Sequence, residues 1–244
     1  MGLVTTRTIV LQTYRYSDTS KILRLMTAEL GPRSALARGA LRPRSRFGGL
    51  LEPFVEGVAT LYVRENRELC TLSGFELIRA RQPLARDVHA FTGASVLCEL
   101  VLRLAPEHPD KRLYGELTRG LDALMEAPGG AVETVALRHI WRLVVILGFE
   151  PDLDACVECH RPIPVGRGAR FDFEAGGLRC GECAPVGRRV DPVELAGLRG
   201  LLGRAEEVAG PVGASQGRLV ADFIRYHMAE GTRLRSLDFL GGLP

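Results

Sequence analysis

Over the first eighty residues, apolar positions come in short bursts. "RTIVLQ", "KILRLMT", "SALARG", "VATLYV" and "TLSGFELI" are each a few residues long and rich in Val, Ile, Leu and Thr, the composition of strands that bury one face. Turn material such as "YSDTS", "ELGP" and "RENREL" separates them. Five such strands predict a small antiparallel barrel, with the size and strand number of the OB-fold. Strand count alone leaves an SH3-like barrel open.

From about residue 86 the period lengthens. Val88, Phe91, Leu97, Leu100, Val101 and Leu104 follow helical spacing. So do Leu113, Leu117, Leu121 and Leu124, and then Leu137, Ile140, Trp141, Val144 and Leu147, with Gly148 and Pro151 ending that run. Asp191, Pro192 and Glu194 read as cap, first position and third position of another helix, a capping-box arrangement. A last helix is expected from about Ser215 to Glu230. The fold class predicted is α+β multidomain: an N-terminal five-stranded OB-fold barrel over residues 1–82, then an all-α domain over 83–244, interrupted by an insertion at about 153–190.

Composition narrows the class. With 46% hydrophobic and 25% charged residues the chain reads as a globular protein. Its longest apolar run, "VVILGF", is far short of a membrane span. No charged segment, apolar core and small-residue cleavage site open the sequence, so the expected location is the cytoplasm. The net charge of +3 is unevenly spread: residues 1–80 hold 12 basic and 7 acidic residues, the remainder 20 and 22. The excess centres on "ARGALRPRSRFGG", where Arg38, Arg42, Arg44 and Arg46 fall close together and no acid occurs between Glu29 and Glu52. Such a block either meets a polyanion or is a solvated loop.

The insertion is bounded by two CxxC pairs, Cys156 with Cys159 and Cys180 with Cys183. Each tight turn supplies two ligands, and four thiolates converge tetrahedrally on Zn²⁺. In a cytoplasmic chain, paired cysteines favour metal over disulfide. Four sulfur ligands leave no open position for water, so the expected role is one structural ion. Cys70 and Cys98 sit singly on apolar patterns and read as buried thiols.

No catalytic constellation emerges. "GASQG" at 213–217 matches a hydrolase elbow, but a Gly/Pro loop and not a strand precedes it, and Ser215 reads as a helix cap. The two lysines, Lys21 and Lys111, follow no phosphate-binding glycine loop. The chain is therefore expected not to be an enzyme.

Taken in order, "YRYSDTSKILRLMTAELGPRSALARGALRPRSRFGGLLEPF", the helical body with its CxxC…CxxC insertion, and the tail "RLRSLDFL" resemble the bacterial recombination mediator family RecO across nearly the whole chain. The resemblance implies an OB-fold that binds single- and double-stranded DNA and a helical domain with a zinc insert. It implies annealing of complementary strands, work with the partner RecR, and loading of RecA onto DNA covered by single-strand-binding protein. An arginine-lined barrel can follow a phosphate backbone while aromatics stack on bases. The DNA-binding candidates are Arg33, Arg38, Arg42, Arg44 and Arg46, then Arg15 and Lys21, with Phe47 as the stacking residue. Tyr14 and Tyr16 are further aromatics, while Phe54 and Tyr62 are read as barrel core. Arg161, Arg167, Arg170, Arg179, Arg188 and Arg189 around the insert form a candidate second DNA or partner surface. Two other classes stay open on the residues alone: a zinc-containing adaptor whose basic loop docks an acidic protein, and an RNA-binding zinc-ribbon factor.

Overall fold

The computed structural model describes residues 2–64, 67–183, 186–203, 212–228 and 234–239. Five strands, β1 (Gly2–Arg15), β2 (Lys21–Thr27), β3 (Gly31–Ala37), β4 (Glu56–Arg64) and β5 (Arg67–Arg79), close a barrel in the order β1-β2-β3-β5-β4. All neighbours are antiparallel except β3 and β5, which run parallel. This is the OB-fold order, and it settles the choice between barrels. The bursts alternate because one face of each strand is inward: Leu23, Leu25, Ala35, Ala59, Leu61, Cys70 and Leu72 fill the interior.

Among the described residues the α-helices are α1 (Val88–Leu104), α2 (Lys111–Glu126), α3 (Val132–Ile146), α4 (Pro192–Leu201) and α5 (Ala214–Met228). The chain separates into two compact units, Met1–Glu126 and Ala127–Pro244. Strand gives way to helix near the expected boundary at 82/83, yet α1 and α2 cluster with the barrel. Phe54 meets Phe91 of α1 edge-on at 5.5 Å. Arg81, with no side-chain exposure, donates to the Phe54 carbonyl at 2.9 Å and pairs with Glu56 at 3.0 Å and Asp122 of α2 at 2.7 Å. Gly31, at φ +72°, turns where a Cβ would lie 2.9 Å from the carbonyl oxygens of Glu107 and His108.

In the second unit the insertion folds as a four-stranded sheet, β6 (Asp152–Cys156), β7 (Ala169–Asp172), β8 (Gly177–Arg179) and β9 (Arg188–Val190), in the order β6-β8-β7-β9. Its inner face rests on the helices through Phe171, which meets Phe223 edge-on at 5.8 Å, while Phe223 stacks on the fully buried Trp141. Ser215 is not the cap of α5. It lies in the first turn, where its hydroxyl donates to Glu194 and accepts from Arg188, both at 2.7 Å. The end of the expected last helix at Glu230 falls outside the described residues. Among the described residues no helix is long and apolar enough to cross a membrane.

Candidate nucleic-acid interface and metal centre

The basic loop is the β3–β4 connection. Successive turns shape it: Arg42 N–H bonds to Gly39 C=O, Ser45 to Arg42, Gly48 to Ser45 and Leu50 to Phe47. Leu41 N–H donates to the Thr19 carbonyl at 3.0 Å, so the loop is stitched to the β1–β2 turn. Arg38, Arg42, Arg44 and Arg46 are all exposed, and none pairs with a carboxylate among the described residues. Arg46 lies over the Phe47 ring, 4.9 Å from its centroid.

Phe47 requires a correction. It is 2% exposed and belongs to the barrel core with Leu51 and Val55. The loop around it is polar, but the open end of a barrel must be plugged by something apolar, and Phe47 and Leu51 do this. Phe54 is buried as expected, whereas Tyr62 is 40% exposed and is not core. Alternation explains Tyr62, which shares parity with Thr60 and points away from the inward Leu61.

Strand register then assembles an outward row that the sequence scatters. Tyr14 lies opposite Ile22, Ile22 opposite Leu36, Leu36 opposite Thr71, and Thr71 opposite Tyr62. Tyr14 is 44% exposed, and Leu69 at 41% flanks the row on β5. At one end of it, Arg15 lies opposite Lys21 and Lys21 opposite Ala37, immediately before Arg38. Arg15, Lys21 and the loop arginines thus share one end of the barrel. Arg24, between Gln12 and Ser34 in the neighbouring row, was missed, although its alternation with Leu23 and Leu25 marks it as outward. Some candidates have prior engagements. Arg15 pairs with Asp18 at 3.0 Å and Lys21 with Glu52 at 2.7 Å. Arg33 donates to the Pro32 and Glu107 carbonyls at the opposite end of its strand, away from the loop.

In the insertion, β6 and β8 are parallel neighbours, which sets the two CxxC turns side by side. The four Sγ atoms lie within 4.8 Å of one another. Cys159 and Cys180 Sγ are 3.8 Å apart, close to the ~3.8 Å edge of a tetrahedron with Zn–S of about 2.3 Å and far beyond a disulfide bond. Cys180 N–H donates to Cys156 Sγ at 3.3 Å. Burial pushes the Cys156 thiol up, but N–H donors of Cys159, Cys180 and Glu158 outweigh it and bring it down to about 6. Arg161 holds Cys159 below the usual thiol range, while Cys183, last among crowded sulfurs, is pushed up to about 12 by Cys159 and Cys180. Four thiols so close cannot all ionise unless a cation joins them; these residues can hold a metal ion.

The six arginines of the insert do not form one free surface. Arg161 pairs with Glu182, Arg179 with Asp172 and Glu158, and Arg188 with Glu194. Arg170 donates to the Gly187 carbonyl. Arg167 and Arg189 are exposed and have no carboxylate partner among the described residues.

An OB-fold barrel whose basic loop has no carboxylate partner among the described residues, joined to helices that carry a tetracysteine ribbon, defines the class: a two-unit protein with a ribbon able to hold a metal and a barrel of the kind used elsewhere for oligonucleotides. Residues 1–81 match the family model "Recombination protein O N terminal", and residues 85–238 match "Recombination protein O C terminal". The chain is 34% identical to the DNA repair protein RecO of Anaeromyxobacter dehalogenans over 95% of its length and 93% of that protein's. It is 33% identical to that of Rubrobacter xylanophilus, over 92% and 89%, and 31% identical to that of Symbiobacterium thermophilum, over 100% and 98%. The chain belongs to the RecO family of DNA repair proteins.

Proposed function

We propose that this chain is a non-enzymatic recombination mediator of DNA repair. It binds single- and double-stranded DNA, anneals complementary strands and, with RecR, helps load RecA onto DNA covered by single-strand-binding protein. The metal is one structural Zn²⁺ on Cys156, Cys159, Cys180 and Cys183, and it supplies cross-linking of the ribbon and no reaction step. Family membership supports the choice of partners, and the residues support the DNA surface. The observation that carries the reading is the placement of four unpaired loop arginines beside the outward Tyr14–Tyr62 row.

The arginines neutralise phosphates, and the tyrosines offer faces on which unpaired bases stack. Stacking of this kind contributes about 1–3 kcal/mol per base and does not depend on sequence. Annealing needs no energy source: charge neutralisation lowers the barrier to encounter, and base pairing supplies the driving force.

The test is titration of labelled single-stranded DNA at several salt concentrations, for wild type and for Arg38, Arg42, Arg44 and Arg46 all changed to Ala. If all four contact phosphates, the log–log salt slope falls by roughly 3, at about 0.7 per contact. Tyr14→Ala and Tyr62→Ala each weaken binding about 5- to 150-fold without changing that slope. Equal affinity and slope in the arginine variant would sink the barrel site and favour an acidic protein as the loop's target. Tighter binding of RNA than of DNA of the same sequence would favour an RNA-binding factor.

A further inference from the structure

Structural metal binding leaves one feature of the ribbon unused. Phe171 and Leu178 turn inward and are fully buried. On the other face, arginines stand in register: Arg179 of β8 opposite Arg170 of β7, and Arg170 opposite Arg189 of β9. Residues directly opposite place their Cβ atoms about 5 Å apart on one face, and like charges so placed destabilise a sheet. Three arginines in one cross-strand row therefore weaken the ribbon unless negative charge meets them. The row lines a cavity of about 650 Å³, within the range of ligand sites.

Internal acids answer only part of that charge. Arg179 is held by Asp172 at 2.6 Å and Glu158 at 2.7 Å. The two acids on the cavity wall are engaged elsewhere: Glu182 bridges Arg161 at 2.7 Å, and Asp191 accepts the Val193 and Glu194 N–H groups that open α4. Among the described residues, Arg170 donates to the Gly187 carbonyl and has no carboxylate partner, and Arg189 is exposed with none either. Two neighbouring arginines thus face the cavity with no carboxylate partner among the described residues, beside Cys180 and Cys183, whose four-thiolate site keeps two net negative charges around a divalent ion.

We propose that Arg170 and Arg189 form a phosphodiester site for a nucleic-acid strand, additional to the barrel surface. The proposal rests on the DNA-binding reading above. Guanidinium forks match phosphate oxygens in geometry and charge. No aromatic side chain lines the cavity, so it offers no base platform, and its apolar members, Ala169 and Val190, are too small and buried to anchor a peptide. The chemistry suits a backbone gripped without regard to sequence. A strand held here while the barrel holds another would have part of its charge neutralised before pairing.

The experiment uses full-length, metal-loaded protein carrying Arg170→Gln and Arg189→Gln, in the wild-type and four-alanine barrel backgrounds. The salt slope for labelled oligothymidylate should fall by roughly 1.4 in both, at about 0.7 per contact, and annealing of complementary strands should slow, with metal content unchanged and the unfolding temperature no lower than wild type. Because Arg170 supports Gly187, Arg189→Gln alone provides the milder variant, with an expected fall of about 0.7. An unchanged slope in protein that still binds DNA overturns this site and leaves the barrel reading standing. No DNA binding by wild type sinks both. Loss of metal from Arg189→Gln would assign the row to the thiolate cluster. Loss of binding to an acidic peptide with the DNA slope intact would assign it to a protein partner.

Discussion

Arg81 shows how much one buried charge organises. Its guanidinium has no exposure and reaches the Phe54 carbonyl, Glu56 and Asp122, and Glu56 also accepts from Arg7 at 2.7 Å and Tyr114 at 3.3 Å. Burial pushes the Tyr114 hydroxyl up, and the adjacent Glu56 charge pushes it further, keeping it a donor. Burial opposes ionisation of Asp122, but Arg79 and Arg81 outweigh it and hold the carboxyl below its ordinary value. A depressed carboxylate stabilises the fold above its unfolded value of about 3.9, and that stabilisation is lost as pH falls through the lower folded value. Arg81→Met should cost about 3–5 kcal/mol, because Glu56 is left buried and charged with one partner fewer. Adding Glu56→Gln should restore much of it, and urea unfolding of both variants measures the difference. No loss from Arg81→Met would mean that water reaches this cluster. In the sequence, Arg81 is one more arginine after a strand. Nothing local marks it, because its partners come from two distant segments, residues 54–56 and Asp122.

At the scale of elements, local sequence chose type and position well and partners less well. The five barrel strands and helices α1 to α3 lie where apolar periodicity puts them, α4 follows its cap, and the four short ribbon strands carried no signal that the sequence reading used. Asp191 caps α4 as its neighbours imply, accepting from Val193 at 2.9 Å and Glu194 at 2.8 Å. The reciprocal half of the capping box is not formed. Glu194 turns to Arg188 and the Ser215 hydroxyl, both at 2.7 Å, and so links β9 to α5. A tertiary ion pair has displaced a local bond of similar geometry. Asp191→Ala should therefore cost about 1 kcal/mol, the loss of a cap. Glu194→Ala should cost about 1.5–3 kcal/mol, because Arg188 loses its charged acceptor. Thermal unfolding of the two variants gives the order, and a smaller effect for Glu194→Ala would contradict this account.

For the whole molecule, each unit has its own source of cohesion. The barrel closes around its apolar interior with α1 and α2, while the ribbon's strands are short, three to five residues each, and are anchored on the helices through Phe171, with four cysteines able to hold a metal beside them. Changing Cys180 and Cys183 to Ser should abolish metal binding, read as loss of one equivalent by elemental analysis, and expose the ribbon amides to hydrogen exchange. DNA binding through the barrel should persist, with a salt slope no lower than that of the Arg170→Gln, Arg189→Gln protein. Complete loss of DNA binding would show that the ribbon, not the barrel, holds the strand.

The sequence by itself determined what short-range physics encodes: strand and helix periods, the cap at Asp191, the concentration of positive charge in one loop, and two CxxC turns whose spacing suits a metal. It also carried the order of motifs that identifies the family. What needed the tertiary structure was every property set by partners distant along the chain. Phe47 sits in a polar, glycine-flanked loop yet plugs the barrel, and Tyr62 sits in an apolar burst yet faces outward. Strand register brought Tyr14 and Tyr62 into one row and Arg170 and Arg189 into another. Pairing with distant acids divided the insert's arginines into those that hold the fold and those with no carboxylate partner among the described residues. Period and composition are local quantities, whereas burial and charge compensation exist only once the chain has closed on itself.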